Sequence, residues 1–359
     1  MHRYFDAAAS TPLDPAVVAV MQQYFDMFGN ENSKHFRGFE AKKIIEKSLQ
    51  TIADCLGTSP HHLSVCYSGT DANRRFLWSG IKRFGAKNIY GSAVEHSSVR
   101  DEVLPENYFD PLGSFQEIPP EAPLISLMAA NSELGTVFSA ERLREQFPRA
   151  LIHRDYIQAV AKKKIEYDHA DCITFAPHKF YGPKMIGLMW LKNPQLFPEF
   201  SKDSHTKNVW LIAGMAKAFE LLADGTCLGA KNFVLTDSVS RLQAYQAQIE
   251  NFIVQNISDA KITHADKIRV AGVINVAFKG IRGGELAQIL SKEEQISVST
   301  GSACTSDILQ PTDTIKFFQS DPIWQFPIRI SLHKFLTEDS IGDFCEILEH
   351  YVGLLRSRL

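Results

Sequence analysis

The sequence predicts an α/β protein with a doubly wound, mostly parallel sheet and a second, smaller α+β domain. Short apolar runs alternate with helical patterns from residue 63 to residue 191, and most of these runs end in a polar or glycine-containing turn. Alternation of this kind is typical of parallel sheets covered by helices. After about residue 258 the alternation stops, and short strand and helix patterns follow without it.

The predicted elements of the first part follow in chain order. An extended arm reaches Pro12, Asp14 and Pro15 open a helix, and an amphipathic helix spans about residues 39–56. Apolar runs predict the strands of the large domain, which are 63–67, 88–90, 123–129, 150–153, 172–175 and 186–191.

Residues 209–257 have a helical pattern, which we expect to end the large domain. Beyond it the sequence predicts strands at 268–270, 273–278 and 328–332, and helices at 284–290 and 337–354. The expected domains are an arm over 1–13 that packs with the small domain, a large domain over 14–257 and a small domain over 258–359.

Composition limits the possible functions. The chain has 359 residues, of which 45% are hydrophobic and 22% charged, and its formal net charge is −3. This suits two folded domains and gives no basic excess for direct nucleic-acid binding. Six cysteines without C-x-x-C spacing argue against a zinc site or a disulfide framework. The start of the chain lacks a secretory pattern and no apolar run approaches a membrane span, so we expect a soluble cytoplasmic protein with no membrane segment.

Two prolines and a glycine stiffen the segment that follows the predicted strand 172–175. Its residues, Pro177-His178-Lys179 and then Gly182-Pro183, place a lysine at the end of a strand. A lysine amine held there and partly desolvated becomes a nucleophile toward carbonyl carbons. A lone loop lysine is more often simply solvated, so the hypothesis depends on its neighbours.

Polar residues follow several of the other predicted strands. Ser68-Gly69-Thr70-Asp71 opens a helix and could bind an anion, although many turns have this pattern. His96 begins the next helix, where stacking on a flat ligand and simple helix capping are about equally probable interpretations. Ligands of doubly wound sheets bind beyond the carboxyl ends of the strands, where these residues are expected.

Asn131, Asp155 and Gln158 follow two further predicted strands and are the remaining candidate ligand-binding residues of the large domain. A phosphate-binding turn, a ring to stack, a carboxylate for a pyridine nitrogen and a lysine amine are what pyridoxal 5'-phosphate requires. The carboxylate would keep the ring protonated, and the lysine would carry the aldehyde as an imine. The sequence therefore predicts a site for pyridoxal phosphate centred on Lys179.

The chain resembles the cysteine desulfurases of the NifS/IscS type, which belong to the class V aminotransferases and are fold-type I pyridoxal-phosphate enzymes. The likeness covers nearly the whole chain. Its most specific segments, in order, are 93–96, 131–135, 155–160, 177–184, 298–305 and 328–332. The resemblance implies a seven-stranded type of sheet in the large domain, a homodimer, and L-cysteine as the substrate.

The resemblance also implies the role of each residue that would hold the cofactor. Lys179 carries the cofactor and moves the substrate Cα proton, Asp155 pairs with the pyridine nitrogen, and His96 stacks on the ring and carries protons. Asn131 and Gln158 bind the ring oxygen or atoms near it, and His178 adjoins the lysine. The phosphate is assigned to Gly69, Thr70, Asp71 and, from the partner subunit, Thr206.

Substrate and sulfur are assigned to the second domain. Arg329, with Asn131, binds the substrate carboxylate, and Cys304 is the nucleophile that takes sulfur. On its residues alone, Cys304 lies in a run of small residues that suits an exposed thiol, whereas Cys345 lies among large apolar residues. The 329 − 304 = 25 residue separation resembles the long catalytic loop of the NifS/IscS group.

Three departures concern the phosphate. The family usually reads Ser-Gly-Ala-Thr-Glu where this chain has Ser68-Gly69-Thr70-Asp71-Ala72, and a carboxylate at Asp71 is unfavourable there unless it points away. The family serine two places before the histidine of the His-Lys pair is Ala176. The stretch before Thr206 is about ten residues shorter than in the family. We expect the cofactor to bind, but less tightly.

The implied activity is removal of sulfur from L-cysteine to give L-alanine and a persulfide on Cys304, which is then passed to an acceptor protein. Two other functions stay open. One is a different lyase or aminotransferase reaction with the same cofactor, such as selenocysteine or cystine cleavage. The other is a degenerate scaffold of a sulfur-modification complex. The acceptor pathway is also open between iron–sulfur assembly, tRNA thiolation, DNA sulfur modification and cofactor synthesis.

Overall fold

The structure is a computed structural model that describes residues 2–201, 206–223, 227–230, 236–301 and 310–358. By its contacts the chain divides into two compact units. The small unit contains Met1–Thr11, Ala130–Val137 and Leu235–Leu359, and the large unit contains Pro12–Ala129 and Phe138–Val234. This division differs from the expected boundary at 257, because the contacts assign residues 130–137 and 235–257 to the small unit.

The large unit is built on a seven-stranded sheet. Its strands are β1 (Leu63–Cys66), β2 (Ile89–Ser92), β3 (Tyr108–Phe109), β4 (Leu124–Ser126), β5 (Leu151–Asp155), β6 (Cys172–Phe175) and β7 (Gly187–Leu191). They lie in the order β1-β7-β6-β5-β4-β2-β3. All paired strands from β3 to β6 are parallel, and β7 is antiparallel to both of its neighbours. The prediction of a mostly parallel, seven-stranded α/β fold is confirmed.

The loop between β6 and β7 lies at the carboxyl end of β6. Because β7 runs back along β6, residues 176–186 begin and end at the carboxyl end of β6. The Gly182 amide donates to the Pro177 carbonyl at 2.9 Å. A Cβ at Gly182 would lie 2.6 Å from that of Pro177, so the loop closes on a position that only glycine fits.

Seven helices accompany this sheet in the described part of the large unit. They are α1 (Pro15–Gln22), α2 (Phe36–Leu56), α3 (Gly69–Phe84), α4 (Ser97–Arg100), α5 (Glu141–Gln146), α6 (Pro198–Ser201) and α7 (Val209–Ala223). One apolar core includes Phe76 and Leu77 of α3, Leu124 of β4 and Met189 of β7. Asp14 caps α1 as predicted, since its Oδ1 accepts from the Ala16 amide at 2.8 Å.

The small unit has an antiparallel three-stranded sheet in the order β10-β9-β8, with strands β8 (Ala260–Ile262), β9 (Val273–Phe278) and β10 (Ile328–Ser331). Its helices are α8 (Asp237–Asn256), α9 (Gly283–Glu294), α10 (Asp313–Phe318) and α11 (Glu338–Arg356). The N-terminal arm is part of this unit, because Phe5 is fully buried and stacks on Phe344 of α11 with ring centroids 4.2 Å apart.

One sequence prediction in this region is wrong. The expected strand at 268–270 is only an isolated bridge between Arg269 and Thr136, and the short strand β8 was not predicted. The helical pattern predicted over 209–257 is present in the described residues as two helices, α7 and α8. Among the described residues, no helix combines the length and apolar character that a membrane crossing requires.

Candidate active site

Asp155 is the last residue of β5, at the edge where the parallel strands end. It is 3% exposed, and both carboxylate oxygens accept hydrogen bonds. Oδ1 accepts from the Ile157 amide at 2.9 Å, and Oδ2 accepts from the Asn73 side chain at 2.8 Å. Burial raises the pKa of Asp155, while these two donors and the electrostatic effects of His96 and Lys179 oppose that rise. The site therefore contains a buried carboxylate whose negative charge is stabilised by two hydrogen bonds from the protein.

Lys179 ends a 3₁₀ turn, Pro177–Lys179, directly after β6. Its amide donates to the Ala176 carbonyl at 3.1 Å, so the backbone of the turn is fixed. The lysine side chain is partly buried. Its charge acts on the pKa values of Asp155, His96 and His178, which places the amine within electrostatic reach of all three. The predicted grouping of lysine, carboxylate and imidazole at adjoining strand ends is therefore present in the large unit.

His96 is the N-cap of α4, and its capping role is real. Its Nδ1 accepts from the Ser98 amide at 3.1 Å and lies 2.8 Å from the Ser98 hydroxyl. Burial lowers the pKa of His96, so the ring is biased toward its neutral form. Burial and then the charge of Lys179 lower the pKa of His178 to about 4, and that imidazole is neutral at pH 7. Capping does not compete with a role toward a ligand, since it occupies one ring nitrogen only.

Glu95, which precedes His96, was not predicted as a site residue. It is 4% exposed, and its Oε1 accepts from the Ser92 hydroxyl at 2.8 Å and the Met128 amide at 2.6 Å. Burial raises the pKa of Glu95 to about 8. The side chain thus joins the ends of β2 and β4, the strands that lead to His96 and to residue 131. The only sequence signal was its place beside His96.

The predicted anion-binding turn begins α3. The Ser68 hydroxyl accepts from the Asp71 amide at 3.0 Å, and Asp71 Oδ2 accepts from the Tyr67 amide at 2.9 Å. Asp71 Oδ2 also lies 4.0 Å from Arg75 Nη1. The Asp71 carboxylate is therefore engaged by the chain that precedes the helix and by a cation, which removes the electrostatic objection raised by its sequence position.

Gly69 allows the start of α3 to approach the segments that follow β5 and β6. A Cβ at Gly69 would lie 2.5 Å from Ile157 Cδ1 and 3.0 Å from Ala176 Cβ. The helix N-terminus, with its positive dipole end, therefore adjoins the segments that carry Asp155 and Lys179. Gln158, which is 7% exposed, follows Asp155 in the same segment.

Thr206 and Asn131 hold other positions. Thr206 is exposed, and its hydroxyl accepts from the Asn30 side chain at 3.0 Å within the large unit. Asn131 belongs to the small unit and is 1% exposed. Its Oδ1 accepts from the amides of Glu133 and Leu134, both at 2.9 Å. These two amides engage the side-chain carbonyl oxygen of Asn131 within the small unit.

Arg329 lies on β10 of the small unit and is 1% exposed. Its Nη2 donates to Asp6 Oδ1 at 2.7 Å and its Nη1 to the Ser132 carbonyl at 3.1 Å. The guanidinium predicted for a substrate carboxylate is thus already paired with a carboxylate of the N-terminal arm. Asp6 was not predicted as its partner. Cys304 lies outside the described residues.

The groups of the large unit fit pyridoxal phosphate. Asp155 would hold the pyridine nitrogen, Lys179 would bind the aldehyde carbon, and the first turn of α3 would face the phosphate. A buried carboxylate that accepts hydrogen bonds can pair with a protonated pyridine ring. Ala176, which is 1% exposed, offers no hydroxyl, so this part of the fit is weaker than in the family pattern.

Residues 3–344 match the family model described as aminotransferase class V. The chain therefore belongs to the class V aminotransferase family, whose members in general depend on pyridoxal phosphate. This agrees with the carboxylate, lysine and imidazole that the strand ends bring together.

Relatives of similar length narrow the comparison. The cysteine desulfurase IscS of Psychromonas ingrahamii is 28% identical over 382 aligned positions, which cover 98% of this chain and 93% of that protein. IscS of Dictyoglomus turgidum is 28% identical and covers 99% and 95% of the two chains. A solved NifS-like protein superimposes with a TM-score of 0.82 at 25% identity, over 99% of this chain and all of that one. The predicted resemblance and fold are confirmed.

Proposed function

We propose that this protein is a pyridoxal-phosphate-dependent cysteine desulfurase. The observation that carries the proposal is the grouping of a buried, hydrogen-bonded carboxylate, Asp155, with Lys179 and His96 at adjoining strand ends. Curated relatives over nearly the full chain length, named cysteine desulfurase, support the choice of reaction. L-cysteine is the proposed substrate and L-alanine the product.

The reaction balances without an external oxidant or reductant. The Cys304 thiol and L-cysteine give the Cys304 persulfide and L-alanine. The Cβ–S bond of the substrate breaks, an S–S bond to Cys304 forms, and Cβ gains a hydrogen. That carbon is reduced while the transferred sulfur is oxidised. A sulfur-acceptor protein then takes the sulfur from Cys304. When bound, pyridoxal phosphate supplies the electron sink that makes the substrate Cα–H acidic.

Residues of the chain itself transfer the protons and orient the substrate. Lys179 Nζ takes the Cα proton and returns a proton after the sulfur has left, as a general base and then a general acid. Asp155 keeps a proton on the ring nitrogen, because a buried carboxylate without a cation is costly. Arg329 is proposed to orient the substrate carboxylate, a group that its planar fork fits.

The remaining contacts are proposals of the same kind. Gln158 and Asn131 would donate to the ring oxygen, and His178 would adjoin the lysine as a neutral imidazole. Gly69 and Thr70 would contribute the start of α3 to the phosphate, whereas Asp71, also assigned to the phosphate from the sequence, donates its amide to the Ser68 hydroxyl. These assignments rest on the family pattern, and for the residues of the large unit the positions given above also support them.

We further propose a homodimer. Four phenylalanines within residues 25–39 are 56–79% exposed, namely Phe25, Phe28, Phe36 and Phe39. Exposed aromatic side chains at this density are typical of a surface that another chain covers. Thr206 bonds to Asn30 of this segment and could reach a phosphate in the partner subunit. Sedimentation equilibrium should give the mass of a dimer; a monomer at micromolar concentration would contradict this proposal.

We place the enzyme in a reducing compartment such as the cytoplasm. The five cysteines of the described residues form no disulfide with one another. Two of them, Cys66 and Cys172, are buried in the same apolar core of the large unit. Thiols in this number suit a reducing environment.

The decisive experiment measures alanine and sulfide from L-cysteine, with dithiothreitol to release persulfide sulfur. Lys179→Ala should lose the visible band of the bound cofactor and about 10²–10⁴-fold of the rate, the range for general acid–base catalysis. Cys304→Ala should keep the band and lose alanine formation. Lys192→Ala and Cys55→Ala are matched controls, since Lys192 is exposed and burial raises the pKa of Cys55 to about 11.

The outcomes separate the competing functions. A Cys304→Ala variant that forms alanine at the full rate would leave a lyase reaction that needs no thiol. Wild-type protein that never binds pyridoxal phosphate would support the scaffold alternative and end the enzyme proposal.

A further inference from the structure

Asn73 lies in the second turn of α3, is fully buried, and bonds to three side chains at once. Its Nδ2 donates to Asp155 Oδ2 at 2.8 Å and to the Ser98 hydroxyl oxygen at 2.9 Å. Its Oδ1 accepts from the Thr174 hydroxyl at 2.6 Å. In its ionised form, which the Ile157 amide and the charge of Lys179 favour, the Asp155 carboxylate can only accept, so the amide nitrogen faces it and the orientation of the amide is fixed.

The direction of each bond then follows along one branch of the network. Because the single Thr174 hydrogen goes to Asn73, the 3.3 Å contact between Thr174 and His153 requires His153 Nε2 to be the donor. His153 Nδ1 then accepts from the Ser126 hydroxyl at 2.8 Å. This branch is closed within the protein, since both nitrogens of the fully buried His153 ring are used.

The other branch leads to His96. The Ser98 hydroxyl accepts from Asn73. Because the Ser98 amide donates to His96 Nδ1, that nitrogen carries a lone pair, and the Ser98 hydroxyl 2.8 Å away must direct its own hydrogen to it. The Ser98 amide donates to the same nitrogen at 3.1 Å. Two donors converge on Nδ1, which must present a lone pair, and the neutral ring carries its proton on Nε2.

We propose that Asn73 is a positioning residue that links Asp155 to His96 and, through Ser98, holds His96 as the Nε2–H tautomer. Nδ1 is committed to the protein, so any proton that His96 gives or takes passes through Nε2. The inference rests on the proposed function in one respect only, which is that Asp155 and His96 act on a bound cofactor. The bonds themselves belong to the protein without it.

The network also predicts the effect of removing the Asn73 side chain. Without the Asn73 amide, Asp155 keeps only the Ile157 amide among the two donors described here, and the Ser98 hydroxyl is free to rotate. A hydrogen bond to a charged group contributes about tenfold to a hundredfold in an equilibrium constant. We expect Asn73→Ala to weaken cofactor binding by that factor.

The first test does not involve activity. Protein labelled with ¹⁵N in its histidine rings, without cofactor, is examined by long-range ¹H–¹⁵N NMR, with His96 assigned from a His96→Gln variant. Wild type should show an unprotonated Nδ1 and a protonated Nε2 at pH 8. Ser98→Ala, which removes the hydroxyl donor only, and Asn73→Ala should each shift His96 toward a mixture of tautomers. A wild-type ring protonated on Nδ1 would overturn the proposal.

The control is Asn107→Ala. Asn107 is a buried amide of the same unit whose Nδ2 donates to the carbonyls of Lys87 and Ile89, both at 3.0 Å. It should change neither the His96 tautomer nor cofactor affinity. Equal losses in the two asparagine variants would reduce Asn73 to a general packing role. If Asn73→Ala does not fold, Ser98→Ala and Thr174→Val carry the same test.

The two proposals fail in different ways. If wild type binds no pyridoxal phosphate but His96 shows the Nε2–H tautomer and responds to Ser98→Ala, the proposed function falls and the network stands. If the cofactor binds equally well to Asn73→Ala and wild type, the positioning role falls and the desulfurase proposal stands.

Discussion

The pairing of Asp6 with Arg329 can be tested by removing one charge while keeping the size of the side chain. In Asp6→Asn, the amide oxygen can still accept from Arg329 Nη2, which now donates to Asp6 at 2.7 Å. The guanidinium would lose its only carboxylate partner among the described residues while staying 1% exposed. We therefore expect the strand that carries it, β10, to open more often.

The magnitude follows from the burial of the two partners. Breaking a fully buried pair costs about 3–5 kcal/mol, and an exposed pair contributes at most about 1 kcal/mol. Since the Asp6 side chain is 20% exposed and Asn keeps a neutral hydrogen bond, we expect a loss of about 1–2 kcal/mol. Asp6→Ala, which keeps no acceptor, should lose about 3 kcal/mol.

Hydrogen exchange is the suitable assay, because two compact units need not unfold as one transition. Arg329 and Ser299 exchange backbone bonds of 2.6 and 3.1 Å, and their amides report the opening of this edge. A loss of about 1–2 kcal/mol corresponds to roughly five- to thirtyfold faster exchange. Asp266→Asn, which breaks the exposed 3.0 Å pair with Lys267, is the matched control and should change nothing. Equal exchange in Asp6→Asn and wild type would refute the reasoning that the pair holds Arg329 in place.

Three further predictions concern single buried positions. The pKa of Glu95 is about 8 in the folded chain against an ordinary 4.5, so the folded state binds the extra proton and its stability falls as pH rises from about 4.5 to 8. In urea titrations, the free energy of unfolding of wild type should fall relative to that of Glu95→Gln by at most about 1.4 kcal/mol per pH unit. A difference between the two proteins that does not change with pH would contradict this. Asn275 is 1% exposed, and neither of its side-chain polar atoms has a partner among the described residues. Asn275→Leu should therefore stabilise the chain by about 1–3 kcal/mol in thermal unfolding, and a lower midpoint would show that the amide is satisfied. Ala176→Ser should tighten cofactor retention on dialysis by up to about tenfold, since it restores a neutral hydrogen bond, and unchanged retention would show that no phosphate oxygen lies near this position.

The strand-end residues of the large unit could be predicted from the sequence because their placement depends on a simple rule. Parallel strands end at one edge, so Asp155 and Lys179, which end β5 and follow β6, must adjoin. The same rule placed His96 after β2. None of these placements required knowledge of a side-chain direction, and all are present in the structure.

The partners that orient these residues could not be predicted in this way. Asn73 and Asp155 are separated by 82 positions, and Asp6 and Arg329 by 323. An asparagine inside an amphipathic helix carries no local sign that it faces a carboxylate. The arm residue Asp6 lies in a segment with no helical or strand period. Contacts of this kind depend on how elements pack, which periodicity does not describe.

Asp71 shows a case in which the sequence left the direction of the side chain open. A carboxylate in the first turn of α3 would oppose a phosphate if it faced the helix axis. In the structure it accepts from the Tyr67 amide, on the chain before the helix, and lies beside Arg75. A negative charge in the first turn then stabilises the helix dipole. The charge at this position therefore has a structural role and does not exclude an anion site.

This assignment changes what must hold the phosphate. The Ser68 hydroxyl accepts from the Asp71 amide, and the Ser68 carbonyl accepts from the Ala72 amide at 3.0 Å. The donors that this turn can offer an anion are therefore the Gly69 and Thr70 amides and the Ser68 and Thr70 hydroxyls. Backbone amides at a helix N-terminus bind phosphate well, but fewer side-chain donors remain here than in the family pattern. A weaker phosphate contact shifts more of the cofactor's binding to the covalent link with Lys179 and to the Asp155 pair. Cofactor retention should then depend more steeply on Lys179 and Asp155 than on any phosphate residue.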